Sequence, residues 1–98
     1  MTQTVQLTFN GVTAEIKPVK DGMYDLNDIW RVFRLPVTKR PSQWRTRERL
    51  KLERYANLHT VNGDNGMTLA TKKALYMYAS WCDYEFYDVV VTVFELVT

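Results

Sequence analysis

Residues 31–54 read RVFRLPVTKRPSQWRTRERLKLER and hold nine of the 13 Lys and Arg residues of the chain. The acidic residues of this stretch are only Glu48 and Glu53, so its net charge is +7, whereas the rest of the chain is at −5. A local block of one sign is typical of a protein that binds a polyanion. The alternative is a solvated helix face, but such faces usually mix Glu and Lys as neighbouring partners.

A helix is predicted for the second half of this stretch, over residues 42–57. Arg47, Lys51 and Arg54 recur at the i, i+4, i+7 spacing of one helical face, and Arg45 and Arg49 form an i, i+4 pair beside them. Leu50 does not fit the apolar side, which indicates a possible break near Thr46. The residues predicted to line the buried side are Trp44, Leu52, Tyr55 and Ala56.

Towards the N-terminus, two strands are predicted at residues 4–9 and 12–17, because polar and apolar residues alternate there. Asn10-Gly11 between them is a strong hairpin signal, since both residue types accept a positive φ. A third short strand is expected at residues 23–24. A helix over residues 28–34 follows, with Asn27 as its N-cap, and Pro36 ends it.

Towards the C-terminus, residues 59–61 and 67–69 flank a turn-rich connector and predict a second hairpin. Thr71 is expected to cap a helix over residues 72–81. Residues 84–98 contain a valine run with strand propensity, but their polar residues follow a helical spacing, so we predict a helix. The complete order of elements predicts an α+β, winged-helix-like domain in which the second hairpin is the wing.

Three segments of the sequence resemble the KilA-N domain of bacteriophages and large DNA viruses. They are YDLNDI at residues 24–29, KRPSQW at residues 39–44 and ASWCDYEF at residues 79–86. The family is similar in fold to the DNA-binding domain of fungal APSES transcription factors. The resemblance therefore implies DNA binding by a helix and a hairpin. The sequence departs from the family pattern at residues 66–69, which read GMTL where family members carry glycine, threonine and an aromatic residue.

The resemblance covers about three quarters of the chain. We expect residues 1–98 to form one domain, with residues 1–23 as a hairpin extension and residues 24–98 as the part that resembles the family. Cys82 is the single cysteine and His59 the single histidine, so neither a disulfide within the chain nor a zinc cluster is expected. No signal peptide or membrane span is predicted, and a reducing, cytoplasmic location fits best.

Ten residues are candidates for contacting nucleic acid. Several of the basic ones are expected to contact phosphates, and Arg45 and Arg49 are the most plausible readers of guanine in the major groove. The alternative is that the charged side chains only solubilise the helix and that the connector is an ordinary turn. The candidates are Lys39, Arg40, Arg45, Arg47, Arg49 and Lys51 in the basic stretch, and Asn62, Asn65, Lys72 and Lys73 on or beside the wing.

The aromatic residues near the basic stretch are expected to be core residues. They recur at helical spacing with other apolar residues. If one of them were instead a stacking platform for bases, the partner would be a single strand. The residues concerned are Trp30, Trp44, Tyr55, Tyr78 and Trp81.

These features predict a double-stranded DNA-binding protein, a phage-encoded regulator of transcription or of the choice between lysogeny and lysis. The alternative is a protein-interaction module, an antirepressor or host-factor inhibitor, whose basic block meets an acidic protein surface. No enzyme, metal or cofactor is expected. Glu15-Ile16-Lys17 resembles the end of a nuclease motif, but no earlier acidic residue is present to complete the metal site.

The C-terminal helix is predicted to be apolar over an unusually broad side that includes Phe86, Val90 and Phe94. A domain of this size has few elements to cover such a surface, so a homodimer through this helix is expected. The alternative is that the helix packs within its own domain, against Trp30, Leu75 and Tyr78.

Overall fold

The structure is a computed structural model that describes residues 4–61 and 66–97. This part of the chain folds into α-helices and two small antiparallel sheets, as the predicted α+β class requires. The strands are β1 (Val5–Phe9), β2 (Val12–Ile16), β3 (Tyr24–Asp25), β4 (Leu58–Val61) and β5 (Met67–Ala70). The helices are α1 (Leu26–Val32), α2 (Arg47–Arg54), α3 (Lys72–Cys82) and α4 (Tyr84–Val97), and two 3-10 turns lie at Val37–Lys39 and Pro41–Gln43.

The first sheet is the predicted N-terminal hairpin. β1 and β2 pair from Val5↔Ile16 to Phe9↔Val12, and the turn residues Asn10 and Gly11 have φ values of 54° and 72°. Such values are the left-handed conformations that an Asn-Gly hairpin turn requires. The prediction of this hairpin is therefore confirmed.

The second sheet has the strand order β3-β5-β4. β4 and β5 form the predicted second hairpin, and β3 adds to the other edge of β5 through the pair Tyr24↔Ala70. Residues 62–65, which hold the candidates Asn62 and Asn65, lie outside the described residues.

One buried cluster joins all parts of the fold. It includes Leu7 from β1, Phe33 after α1, Trp44, Tyr78 from α3 and Phe86 from α4. The N-terminal hairpin thus contributes to the same core as the part of the chain that resembles the known family. This burial is the main source of stabilisation, at about 25 cal/mol for each Å² of apolar surface removed from water.

The first helix begins earlier than the sequence predicted. Its N-cap is Asp25, whose Oδ1 accepts a hydrogen bond from the backbone N–H of Asn27 at 3.0 Å. The prediction that Asn27 is the cap was wrong. The Asn27 amide instead donates to the carbonyl of Gly66 at 3.1 Å, and its oxygen accepts from the hydroxyl of Thr68 at 3.2 Å. Asn27 therefore holds α1 against the start of β5.

The helix predicted over residues 42–57 is divided, and the predicted break near Thr46 is confirmed. A 3-10 turn comes first, and α2 then begins with Thr46 as its N-cap. Trp44 and Leu52 are buried as predicted, but Tyr55 is 72% exposed and Ala56 is also exposed. The prediction of these two as core residues was wrong, because α2 ends at Arg54 and the chain turns away with Ala56 at a φ of 61°.

The remaining aromatic predictions are confirmed in part. Trp44 and Tyr78 are fully buried and their ring centroids lie 5.6 Å apart. Trp30 and Trp81 are only half-buried, and each has a cation over its ring.

The predicted C-terminal helix is confirmed as α4, which packs on α3 and β1. The expectation that its apolar side is left uncovered was wrong, since Phe86, Val90 and Phe94 are all buried within the chain. The stated alternative, packing within its own domain, is confirmed: α4 lies on α3, whose Leu75 and Tyr78 belong to the same buried cluster. Phe94 also meets the ring of Tyr24, and Phe86 meets those of Phe9 and Phe33. A dimer through α4 stays a prediction and has only the outer residues of the helix available. In the described ranges, no helix has the length and apolar character to cross a membrane.

Candidate nucleic-acid interface

The side of α2 that faces the protein is fixed by its one fully buried residue. Leu52 belongs to the core, and the hydroxyl of Thr46 accepts a hydrogen bond from the backbone N–H of Arg49 at 3.3 Å to start the helix. Successive side chains are rotated by about 100° around the helix axis, so residues that lie close to Leu52 around this axis face inward. Those on the opposite side face solvent.

The solvent side of α2 carries a cluster that we call the basic face: Arg45, Arg47, Lys51 and Arg54. Arg47, Lys51 and Arg54 lie opposite Leu52 on the helix, and Arg45 lies just before its N-cap. All four are exposed, and none is in an ion pair with any residue of 4–61 or 66–97. The basic face therefore presents cations that no described neighbour neutralises. Of the sequence-predicted site, it unites Arg45, Arg47 and Lys51.

Arg49 lies on the opposite side of the same helix and has a different role. Its Nη1 donates to the carbonyls of Pro41 and Trp44 at 2.6 and 3.1 Å, and its Nη2 donates to Thr60 Oγ1 at 3.2 Å. Its Nε is 3.6 Å from Glu53 Oε2, and only 14% of its side chain is exposed. The expectation that Arg49 reads a base stays a prediction, and the donors that it would need are used within the protein here.

Arg49 instead positions the basic face. Its bonds join the 3-10 turn before α2, the helix itself and strand β4 of the hairpin. One planar guanidinium, the side chain best suited to satisfy several acceptors at once, therefore adds to the core packing of Leu52 and Leu58 in joining the helix to the hairpin. The sequence carried a signal for this role, since Arg49 stands three residues before buried Leu52 and hence on the same side of the helix.

Lys39 and Arg40 lie in the loop between α1 and α2, over aromatic rings. Lys39 Nζ is 4.4 Å from the centre of the Trp81 ring, and the Arg40 guanidinium is 5.2 Å from that of Trp30. Both distances are within the range of cation–π attraction. These two predicted candidates are thus held by the fold, beside α2 but outside the basic face.

The same loop is fastened to α3 by a buried hydroxyl. Tyr78 donates from its phenol to the carbonyl of Lys39 at 2.7 Å. Burial raises the pKa of Tyr78 far above its ordinary value, so the phenol stays protonated and keeps donating. Burial likewise raises the pKa of the Cys82 thiol to about 11, so at neutral pH it packs as a small protonated group near the same carbonyl.

The two lysines predicted beside the wing differ from each other. Lys72 Nζ is 3.4 Å from Glu95 and lies over the ring of Tyr76, so it ties α3 to the end of α4. Lys73 is exposed and lines a hollow of about 340 Å³ together with Lys51 and the exposed ring of Tyr55. Lys73 therefore lies beside Lys51, with Glu48 lining the same hollow, whereas Lys72 is paired with Glu95.

No group of three or more His, Cys, Asp or Glu residues suited to a metal ion is present among the described residues. The chain matches no protein-family model, no curated protein and no solved structure. The resemblance to the KilA-N domain is therefore a prediction that rests on the three segments quoted above.

Proposed function

We propose that this protein binds double-stranded DNA through the basic face of α2, with the hairpin β4–β5 as the wing of a winged-helix arrangement. The observation that carries the proposal is the basic face itself, which has three exposed cations on the solvent side of α2 and a fourth, Arg45, just before its N-cap. Phosphate contacts by Lys and Arg supply most of the affinity of proteins for DNA and set their position on the duplex.

The dimensions of α2 support this assignment. An α-helix with its side chains is about 10–12 Å in diameter and fits the major groove, which is about 12 Å wide. Arg45 is the remaining candidate for reading guanine, and Arg47, Lys51 and Arg54 are assigned to phosphates. The bond from Arg49 to Thr60 keeps the hairpin beside the helix, where a wing would reach the neighbouring backbone.

The biological role belongs to the same proposal. The resemblance to the KilA-N domain of bacteriophages supports a phage-encoded regulator of transcription, or of the choice between lysogeny and lysis, that acts in the bacterial cytoplasm.

A mobility-shift titration with short duplex DNA tests the proposal. We expect the double variant Arg45→Ala/Arg47→Ala to weaken binding by more than about tenfold, because two charge-assisted contacts are removed. A plot of the logarithm of the wild-type association constant against the logarithm of salt concentration should have a slope of roughly −3 to −4, as expected for four neutralised phosphates.

The matched control is Lys17→Ala/Lys20→Ala, which removes the same charge from two exposed residues at the end of β2 and in the turn after it. Circular dichroism should give the same helix content for both variants. Wild-type protein that is folded but binds no duplex at low salt would contradict the proposal, as would equal losses in the two double variants.

One observation favours a second candidate, a protein-interaction module that acts as an antirepressor or host-factor inhibitor. Leu50 lies among the cations of the basic face and is 64% exposed. A large apolar residue ringed by charge is a typical anchor for a protein partner, whereas duplex DNA offers it little. Leu50→Ser should abolish capture of an acidic protein from nuclease-treated lysate and change duplex affinity less than twofold or so.

A further inference from the structure

A cleft of about 310 Å³ opens between α1, the 3-10 turn before α2 and the hairpin β4–β5. Three of the described residues that line it are arginines, Arg31, Arg40 and Arg49, and none of the lining residues within 4–61 and 66–97 is acidic. We propose that this cleft binds a phosphate group, carried either by a free nucleotide or by a nucleic-acid backbone. The site is separate from the basic face, with which it shares no residue.

Arg40 is the first of the two groups that would contact the phosphate. Its guanidinium lies over the ring of Trp30, and that ring is held by a hydrogen bond of 2.9 Å from Trp30 Nε1 to the carbonyl of Pro36. In the part of the chain that the structure describes, the Arg40 guanidinium has no hydrogen bond or ion pair. The ring contact therefore holds the guanidinium beside the cleft, and its N–H groups are available for a two-point contact with phosphate oxygens.

Arg31 is the second group. Its Nη1 is 3.1 Å from Asp28 Oδ1, but the two side chains are 66% and 58% exposed, so solvent screens the pair. Pairs of this kind contribute little, and a phosphate in the cleft can compete for the guanidinium. Asp28 is then an opposing charge near the cleft, and its removal should favour an anion.

Arg49 supplies charge rather than bonds. Its donors are used by Pro41, Trp44 and Thr60, so it cannot also bind the phosphate well. Its charge is fixed at the wall of the cleft but is partly offset by Glu53, whose Oε2 is 3.6 Å from Arg49 Nε, so Arg40 and Arg31 carry most of the attraction for an anion.

The size and composition of the cleft favour a phosphate with its attached sugar over a large ligand. Its volume lies at the lower limit of about 300 Å³ for small-molecule sites. Half-buried Val61 and Met67 provide an apolar wall beside the arginines, against which a sugar can pack. A mononucleotide and one unit of a DNA strand have this chemistry in common.

The test is a titration of uniformly ¹⁵N-labelled protein with thymidine monophosphate, followed by NMR at the indole N–H of Trp30 and the amide N–H of Gly66. We expect both signals to shift. Arg40→Gln should weaken the affinity roughly tenfold, and Asp28→Asn should strengthen it by about threefold. Lys20→Gln, which removes one exposed cation away from the cleft, should bind as the wild type does.

A second arm with a short duplex separates the two sources of phosphate. The slope of log affinity for the duplex against log salt concentration is compared between Arg40→Gln and Lys20→Gln. If the slope of Arg40→Gln is smaller in magnitude by about one, the cleft takes a backbone phosphate. If only the mononucleotide affinity falls, the cleft takes a free nucleotide. The inference is overturned if Arg40→Gln binds both probes as tightly as Lys20→Gln. A wild type that binds mononucleotide in the cleft but no duplex would refute the proposed function and leave this inference standing.

Discussion

The two sides of α2 use the same residue type for opposite purposes. Arg47 faces solvent with three other cations of the basic face, whereas Arg49, two residues further on, is held by two carbonyls, a hydroxyl and a carboxylate. The difference follows from which side of the helix carries buried Leu52. Net charge alone therefore overstates the number of cations that a basic segment offers to a partner.

The same comparison applies to the other cations of residues 31–54. Arg31 pairs with Asp28, and Lys39 and Arg40 lie over tryptophan rings. The segment with a net charge of +7 thus contains a cationic surface on α2 and also, in Lys39, Arg40 and Arg49, cations that contact rings, carbonyls or a carboxylate of the fold. Measurements of stability and of duplex binding in the same variants separate these two roles.

The largest effect on stability is expected from a pair of leucines on the two sides of α2. Leu52→Ala should lower the free energy of unfolding by about 3 kcal/mol, because it leaves a cavity in the core. Leu50→Ala should change it by less than about 0.5 kcal/mol, because Leu50 is already in solvent. Urea denaturation followed by circular dichroism measures both. Equal losses in the two variants would show that the inward side of α2 is assigned wrongly.

The next largest change in the free energy of unfolding is expected at Arg49, which is compared with Arg47. Arg49→Ala should lower the free energy of unfolding by about 2 kcal/mol, because it leaves buried carbonyls without a charged donor. Arg47→Ala should leave stability within about 0.5 kcal/mol and weaken duplex binding instead. Arg49→Lys tests the geometry, since one ammonium cannot reach all the acceptors that the guanidinium joins. Full stability of Arg49→Ala would contradict the positioning role.

Local patterns predicted the elements of this fold well. The alternation of residues 4–9 and the Asn10-Gly11 turn specified the first hairpin, and the spacing of polar residues specified α4 despite its valine run. These signals succeed because they depend on neighbours a few positions apart. The predicted break near Thr46 succeeded for the same reason, since the hydroxyl caps the N–H three residues later.

What the sequence did not predict depends on residues far apart in the chain. Asn27 looked like an N-cap because its side chain suits that role, but its partners Gly66 and Thr68 lie some forty positions away. Tyr55 fitted the apolar stripe of a longer helix, and only the end of α2 at Arg54 places it in solvent. For the candidate site, spacing identified the basic face but could not show that Arg49 meets Thr60 of the hairpin.

The smallest change in the free energy of unfolding is expected at Lys39, which is compared with Lys51. The sequence predicts both residues in the nucleic-acid surface. Lys39→Met removes a cation from above the Trp81 ring and should lower the free energy of unfolding by about 0.5 kcal/mol. Lys51→Met should leave stability unchanged and weaken duplex binding about threefold, because it removes one phosphate contact.

Lys39→Arg keeps a cation over the ring and serves as the matched control. The bond from Tyr78 to the backbone carbonyl of residue 39 is retained in each of these variants, so any change reports the ammonium group alone. A loss of duplex affinity in Lys39→Met as large as in Lys51→Met, with unchanged stability, would place Lys39 in the basic face and extend that surface across the loop before α2.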